Sequence, residues 1–104
     1  MARYLFVYHG GRKPATMEEG QQAMAAWGQW FGSMGADVVA GGNPVGTSTT
    51  VNHDGSVVSN GGANPTTGYS VVNARDLNDA IAKARGCPIL LMGGSVELAE
   101  TFEP

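Results

Sequence analysis

Five residues near the start, Tyr4-Leu5-Phe6-Val7-Tyr8, constrain the fold of this chain more than any other segment. Their β-branched and aromatic side chains favour an extended strand, and His9-Gly10-Gly11 closes it with a flexible turn. Side chains along a strand leave alternately to opposite faces, so Tyr4, Phe6 and Tyr8 share one side while Leu5 and Val7 share the other. Both sides are apolar, and a strand of that kind needs cover on both.

Beyond Pro14, Thr16 and Glu19 form a capping box, and Met17, Gly20, Met24, Trp27, Phe31 and Met34 follow at helical spacing. The pattern predicts an amphipathic helix over 17–34 that ends at Gly35, with the Met and Trp stripe read as core. Trp30 falls beside that stripe, within reach of a pocket or a partner surface. A second strand begins at Asp37-Val38-Val39-Ala40, is interrupted by Gly41-Gly42-Asn43-Pro44 and resumes, bent or bulged, over 45–51. His53-Asp54-Gly55-Ser56 reads as a hairpin tip with Val57-Val58 returning, and after a loop over 59–68 a strand runs from Tyr69 to Ala74. Asp76 caps a second helix with Leu77, Ala80, Ile81 and Ala84 on its apolar face. It ends at Gly86 ahead of Cys87-Pro88, and an apolar connector leads to a final strand over 95–101.

That order, strand-helix-strand-strand-helix-strand, predicts an α+β domain over 1–104, with the ferredoxin-like βαββαβ arrangement and an antiparallel sheet. Two helices shelter one face of four strands. Charged residues make up 14% of the chain, against about 25% in ordinary soluble domains, so little solvating charge is available for the second face. The economical cover is a second copy packed sheet against sheet, giving a homodimer closed as a dimeric α+β barrel with room for a small-molecule ligand.

Several partner classes are excluded. The net charge of −3 and the scattered Lys and Arg residues leave no footprint for nucleic acid, and no apolar run approaches the length of a membrane span. The single Cys87 forms no internal disulfide and the first residues do not read as a secretion signal, so a cytoplasmic setting is expected. No metal-ligand spacing, phosphate loop or nucleophile elbow occurs, and neither a metal nor an organic cofactor is expected.

The candidate site residues are few. His9 closes a buried strand beside Tyr8 and two glycines, the place for an acid/base imidazole or for a hydrogen-bonded structural one. Tyr8, Asn43, Asn64 and Tyr69 are candidate ligand-binding residues, offering directional hydrogen bonds around an apolar pocket. Gly-Gly-Asn-Pro at 41–44 is echoed by Gly-Gly-Ala-Asn-Pro at 61–65, which is turn chemistry able to present donors to an anionic or carbonyl ligand. His53-Asp54 is explained by its turn. Cys87, after a helix C-terminus and before proline, reads as packing, and Glu97 as a solvent-facing or ion-paired strand residue.

Gly68-Tyr69-Ser70-Val71-Val72, then Asp76-Leu77 with its Ala-rich helix, Cys87-Pro88 and Gly94-Ser95-Val96-Glu97-Leu98 together resemble the YCII-related family, also called DGPF proteins. The resemblance spans nearly the whole chain and rests on the order of these pieces. It implies a dimeric α+β barrel, and in one branch lyase chemistry on chlorinated aromatic compounds. This chain departs from the pattern in two places: Asn60-Gly61-Gly62-Ala63 stands near the family's Asp-Gly-Pro-Phe, and Val96-Glu97-Leu98-Ala99-Glu100 replaces an ending that carries an arginine. The expected function is a small-molecule-binding protein with His9 as proton shuttle in lyase-like or isomerase-like chemistry. The alternative is a non-catalytic protein that senses a metabolite or contacts another protein.

Overall fold

The computed structural model describes residues 1–103. Its elements are β1 (Ala2–His9), α1 (Met17–Met34), β2 (Val38–Ala40), β3 (Thr50–Val51), β4 (Val57–Val58), β5 (Thr66–Ala74), α2 (Leu77–Ala84) and β6 (Ser95–Glu100), with 3-10 turns at Gly35–Asp37 and Pro88–Met92. Four strands form one sheet in the order β2-β5-β1-β6, and every neighbouring pair is antiparallel. The result is a mixed α+β structure whose strand order is compatible with the ferredoxin-like arrangement.

The alternation expected for β1 decides where the core lies. Tyr4, Phe6 and Tyr8 are buried with Val72, Ala74, Ala80, Ala84, Cys87 and Ile89, and Trp30 and Met34 of α1 close over them. Leu5 and Val7 leave to the opposite side, where register sets Leu5 between Val71 and Ala99, and Val7 between Tyr69 and Glu97. Among the described residues no helix covers that side: they measure 43 × 42 × 18 Å, the thickness of one sheet and one helical layer.

Helix α1 starts as its capping box requires, with Thr16 Oγ1 accepting from the Glu19 amide at 3.1 Å and Glu19 Oε2 accepting from the Ala15 amide at 2.8 Å. Its buried stripe differs from the expected one. Met17 and Met24 are exposed, whereas Trp30 is buried against Phe6 at 6.2 Å between ring centroids and donates from Nε1 to the Lys83 carbonyl at 2.9 Å. The stripe is rotated toward Ala23, Trp27, Trp30 and Met34, because α2 offers the indole both a packing surface and an acceptor. Trp30 therefore belongs to the core, not to a pocket or a partner surface.

The segment after β2 also departs from expectation. Gly42, at φ +74°, and Pro44, which has no amide hydrogen, end regular pairing, and a lone bridge joins Pro44 to Gly68. Thr50–Val51 then pairs with Val57–Val58 in a separate hairpin instead of prolonging the sheet. Its tip is the expected Asp-Gly turn, with Gly55 at φ +86° and Asn52 accepting the Gly55 amide at 2.9 Å. Among the described residues, no helix is long and apolar enough to cross a membrane.

Candidate functional site

A cavity of about 500 Å³ lies between α1 and the edge of the sheet beside the 41–44 loop. Helix α1 supplies Met24, Trp27 and Phe31, while Tyr8, Thr67, Gly68 and Tyr69 come from the strands and Gly41 to Pro44 from the loop. No lining residue carries a charge. Aromatic packing orders the wall: Tyr8 meets Trp27 edge to face at 5.0 Å and 77°, and Trp27 meets Phe31 at 5.9 Å with the rings tilted by 37°.

The loop reaches this position through backbone hydrogen bonds to β5, with Asn43 accepting the Tyr69 amide at 3.3 Å and Val45 donating to Thr67 at 3.1 Å. Any side chain at Gly42 would run into the Tyr69 carbonyl, so glycine is required both for the turn and for the close approach. Gly68 is similarly confined by the Asn43 carbonyl and the Tyr8 ring.

A chain of hydroxyls lies behind the cavity, at buried Ser70. Ser70 donates to the Gly41 carbonyl at 2.6 Å, and Tyr8 donates to Ser70 Oγ at 2.7 Å. Burial raises the Tyr8 phenol above its ordinary pKa, so it stays protonated at neutral pH. At the rim, Asn43 Nδ2 donates to the Tyr69 hydroxyl at 3.4 Å.

The structure thus brings Tyr8, Asn43 and Tyr69 to one cavity. His9 and Asn64 do not border it. A register shift between Tyr8 and His9 ends the regular ladder of β1 with β5. The His9 ring is buried, with Nε2 at 2.8 Å from Glu97 Oε1 and Nδ1 at 3.2 Å from the Pro65 carbonyl. The Glu97 carboxylate holds the imidazole above its ordinary pKa, and the Pro65 and Asn64 carbonyls act in the same sense against burial. Asn64 thus meets His9 through its backbone. Because both ring nitrogens face acceptors, the imidazolium form, which donates from both, satisfies the site best.

Asp54 accepts from the Ser56 amide at 2.9 Å and the Ser56 hydroxyl at 2.6 Å, closing its own turn rather than pairing with His53. Burial pushes the Cys87 thiol up to about 11, which leaves it protonated and a poor nucleophile. Among the described residues, no three His, Cys, Asp or Glu side chains gather as a metal site would need. Trp27 and Phe31, expected in the core, do pack against it and also line the cavity, a second role that depends on the 41–44 loop folding over α1 and has no local signal in the sequence. No protein-family model matches the chain, and no curated protein matches it.

Proposed function

We propose that this chain is a small-molecule-binding protein of the YCII-related kind, which works as a homodimeric α+β barrel with one pocket in each subunit. The observation that carries the binding reading is the cavity beside α1, whose volume of about 500 Å³ is that of a site for a drug-sized molecule. Four aromatic residues and an uncharged lining favour a flat, neutral guest. The dimer is supported by the uncovered sheet face, where Leu5, Val7 and Val71 are only half-buried and Tyr69 and Val39 are exposed. The one cysteine, a buried free thiol, suits a reducing compartment such as the cytoplasm.

Thermal shift with a panel of neutral aromatic compounds tests the binding reading. A ligand should raise the melting temperature with concentration, and Phe31→Ala should weaken the effect. A panel that leaves the protein unmoved at millimolar concentration rejects it. Acid/base catalysis is the second reading, favoured by the buried His9 against Glu97 on the sheet face that a partner would cover. Turnover of a stabilising ligand, lost in a folded His9→Ala protein, would establish that reading; stabilisation without conversion leaves a sensor.

A further inference from the structure

The hydroxyl chain behind the pocket has only one consistent direction. The Gly41 carbonyl has no proton to give, so Ser70, at 2.6 Å, must donate to it. With its single proton committed, Ser70 Oγ meets Tyr8 as an acceptor, and the Tyr8 hydroxyl, at 2.7 Å, must donate to Ser70. What remains on the Tyr8 oxygen is lone-pair capacity alone. Tyr8 and Gly41, the two ends of this chain, both border the cavity. A backbone carbonyl, which no side-chain rotation can reverse, therefore fixes the hydrogen-bonding sense of a tyrosine two links away.

From this we infer that the pocket recognises a neutral aromatic molecule bearing a hydrogen-bond donor, an N–H heterocycle or a phenol, with the Tyr8 oxygen as the accepting group. The inference rests on the pocket being a binding site and adds the class of guest. A carboxylate or phosphate is disfavoured on two grounds: its lone pairs would face those of Tyr8, and the lining holds no cation to offset its desolvation. An aromatic ether fills the same space and leaves the Tyr8 oxygen without a partner, and a site built to pair with a donor discriminates against such analogues.

Calorimetric titration of the full chain with indole, N-methylindole and benzoate tests this. Indole should bind about tenfold more tightly than N-methylindole, the worth of one hydrogen bond, and benzoate should bind more weakly than either. Tyr8→Phe should abolish the preference for indole over N-methylindole. Ser70→Ala offers an independent reading that keeps the phenol: it frees the Tyr8 proton, so quinoline, which only accepts, should gain affinity relative to indole. Equal affinity for indole and N-methylindole, tightest binding of benzoate, or a preference that survives Tyr8→Phe in a folded protein overturns the donor inference while the pocket stands. If none of the aromatic probes binds, the pocket reading falls and takes the inference with it.

Discussion

Glu97 Oε1 stands 2.8 Å from His9 Nε2, joining the end of β1 to the middle of β6 on the sheet face away from the helices. The other ring nitrogen faces the Pro65 carbonyl, so the imidazole ring ties β1, β6 and the entry to β5 together. His9 has a raised pKa in the folded chain, so the folded state binds the proton more tightly than the unfolded one. Its stabilisation is complete below the unfolded value of 6.5 and is lost as pH rises through the higher folded value. Urea midpoints measured from about pH 6 to about pH 9 should fall in the wild type. Glu97→Gln, which removes the first cause of the shift, should flatten that slope.

The acid side has a different source. Asp79 accepts from Lys83 Nζ at 2.8 Å and from the Arg75 amide at 2.9 Å, and these two groups hold its carboxyl down to about 2. A depressed carboxylate contributes stability above its unfolded pKa and loses it as pH falls through the folded value. Unfolding followed by circular dichroism from about pH 4 to about pH 2 should show that loss, and Asp79→Asn should be less stable at neutral pH with a shallower acid limb.

Much of the framework was legible because local chemistry agreed with the fold. Thr16 and Asp76 mark the helix starts through their own caps, and the alternation of Tyr4, Phe6 and Tyr8 does define the covered face of β1. Longer-range facts had no local signal. Glu97 lies 88 residues from His9, and their meeting depends on the β1–β6 register, which a shift of one residue would undo. The helix stripe departs from the expected one at Met17 and Met24, which are exposed, and at Trp30, which is buried, because two apolar faces overlap on α1. The Lys83 carbonyl, supplied by α2, and packing against Phe6 draw Trp30 inward.

Trp30 therefore offers a direct energetic test of the corrected core. Replacing it by Ala deletes packing against Phe6 and against Gly86, whose added Cβ would lie 3.2 Å from Trp30 Cδ1. Such a cavity should lower stability by about 3–5 kcal/mol in urea unfolding. Trp30→Phe keeps much of the volume but leaves the Lys83 carbonyl without its donor, a loss of about 1 kcal/mol on top of the packing change. Met24→Ala, on the exposed side of the same helix, should shift the midpoint little.

Two glycines with similar backbone angles should respond differently to substitution. Gly42→Ala forces a Cβ into the Tyr69 carbonyl at φ +74°, so the 41–44 loop must move and the protein should lose more than about 1 kcal/mol, with weaker ligand binding. Gly55 has φ +86° but open space around it, and Asn tolerates this region of backbone conformation. Gly55→Asn should therefore leave both the urea midpoint and ligand-induced thermal shifts nearly unchanged.

The proposed dimer makes the uncovered sheet face its interface, and Val71 is the residue to test. It lies opposite Leu5, which in turn pairs with Ala99, so these three form an apolar row across the sheet with no helix above it. A lysine at position 71 would place a charge in the middle of a sheet-against-sheet contact, where it finds no partner from its own row. Substitution at the centre of an interface commonly costs at least about 2 kcal/mol, enough to weaken association roughly thirtyfold. Sedimentation at micromolar concentration should thus turn a dimer into a monomer in Val71→Lys, while circular dichroism keeps its native shape. Ala82→Lys, on the exposed side of α2, should sediment as the wild type. A wild type that sediments as a monomer, or a Val71→Lys protein that stays dimeric, rejects this face as the interface.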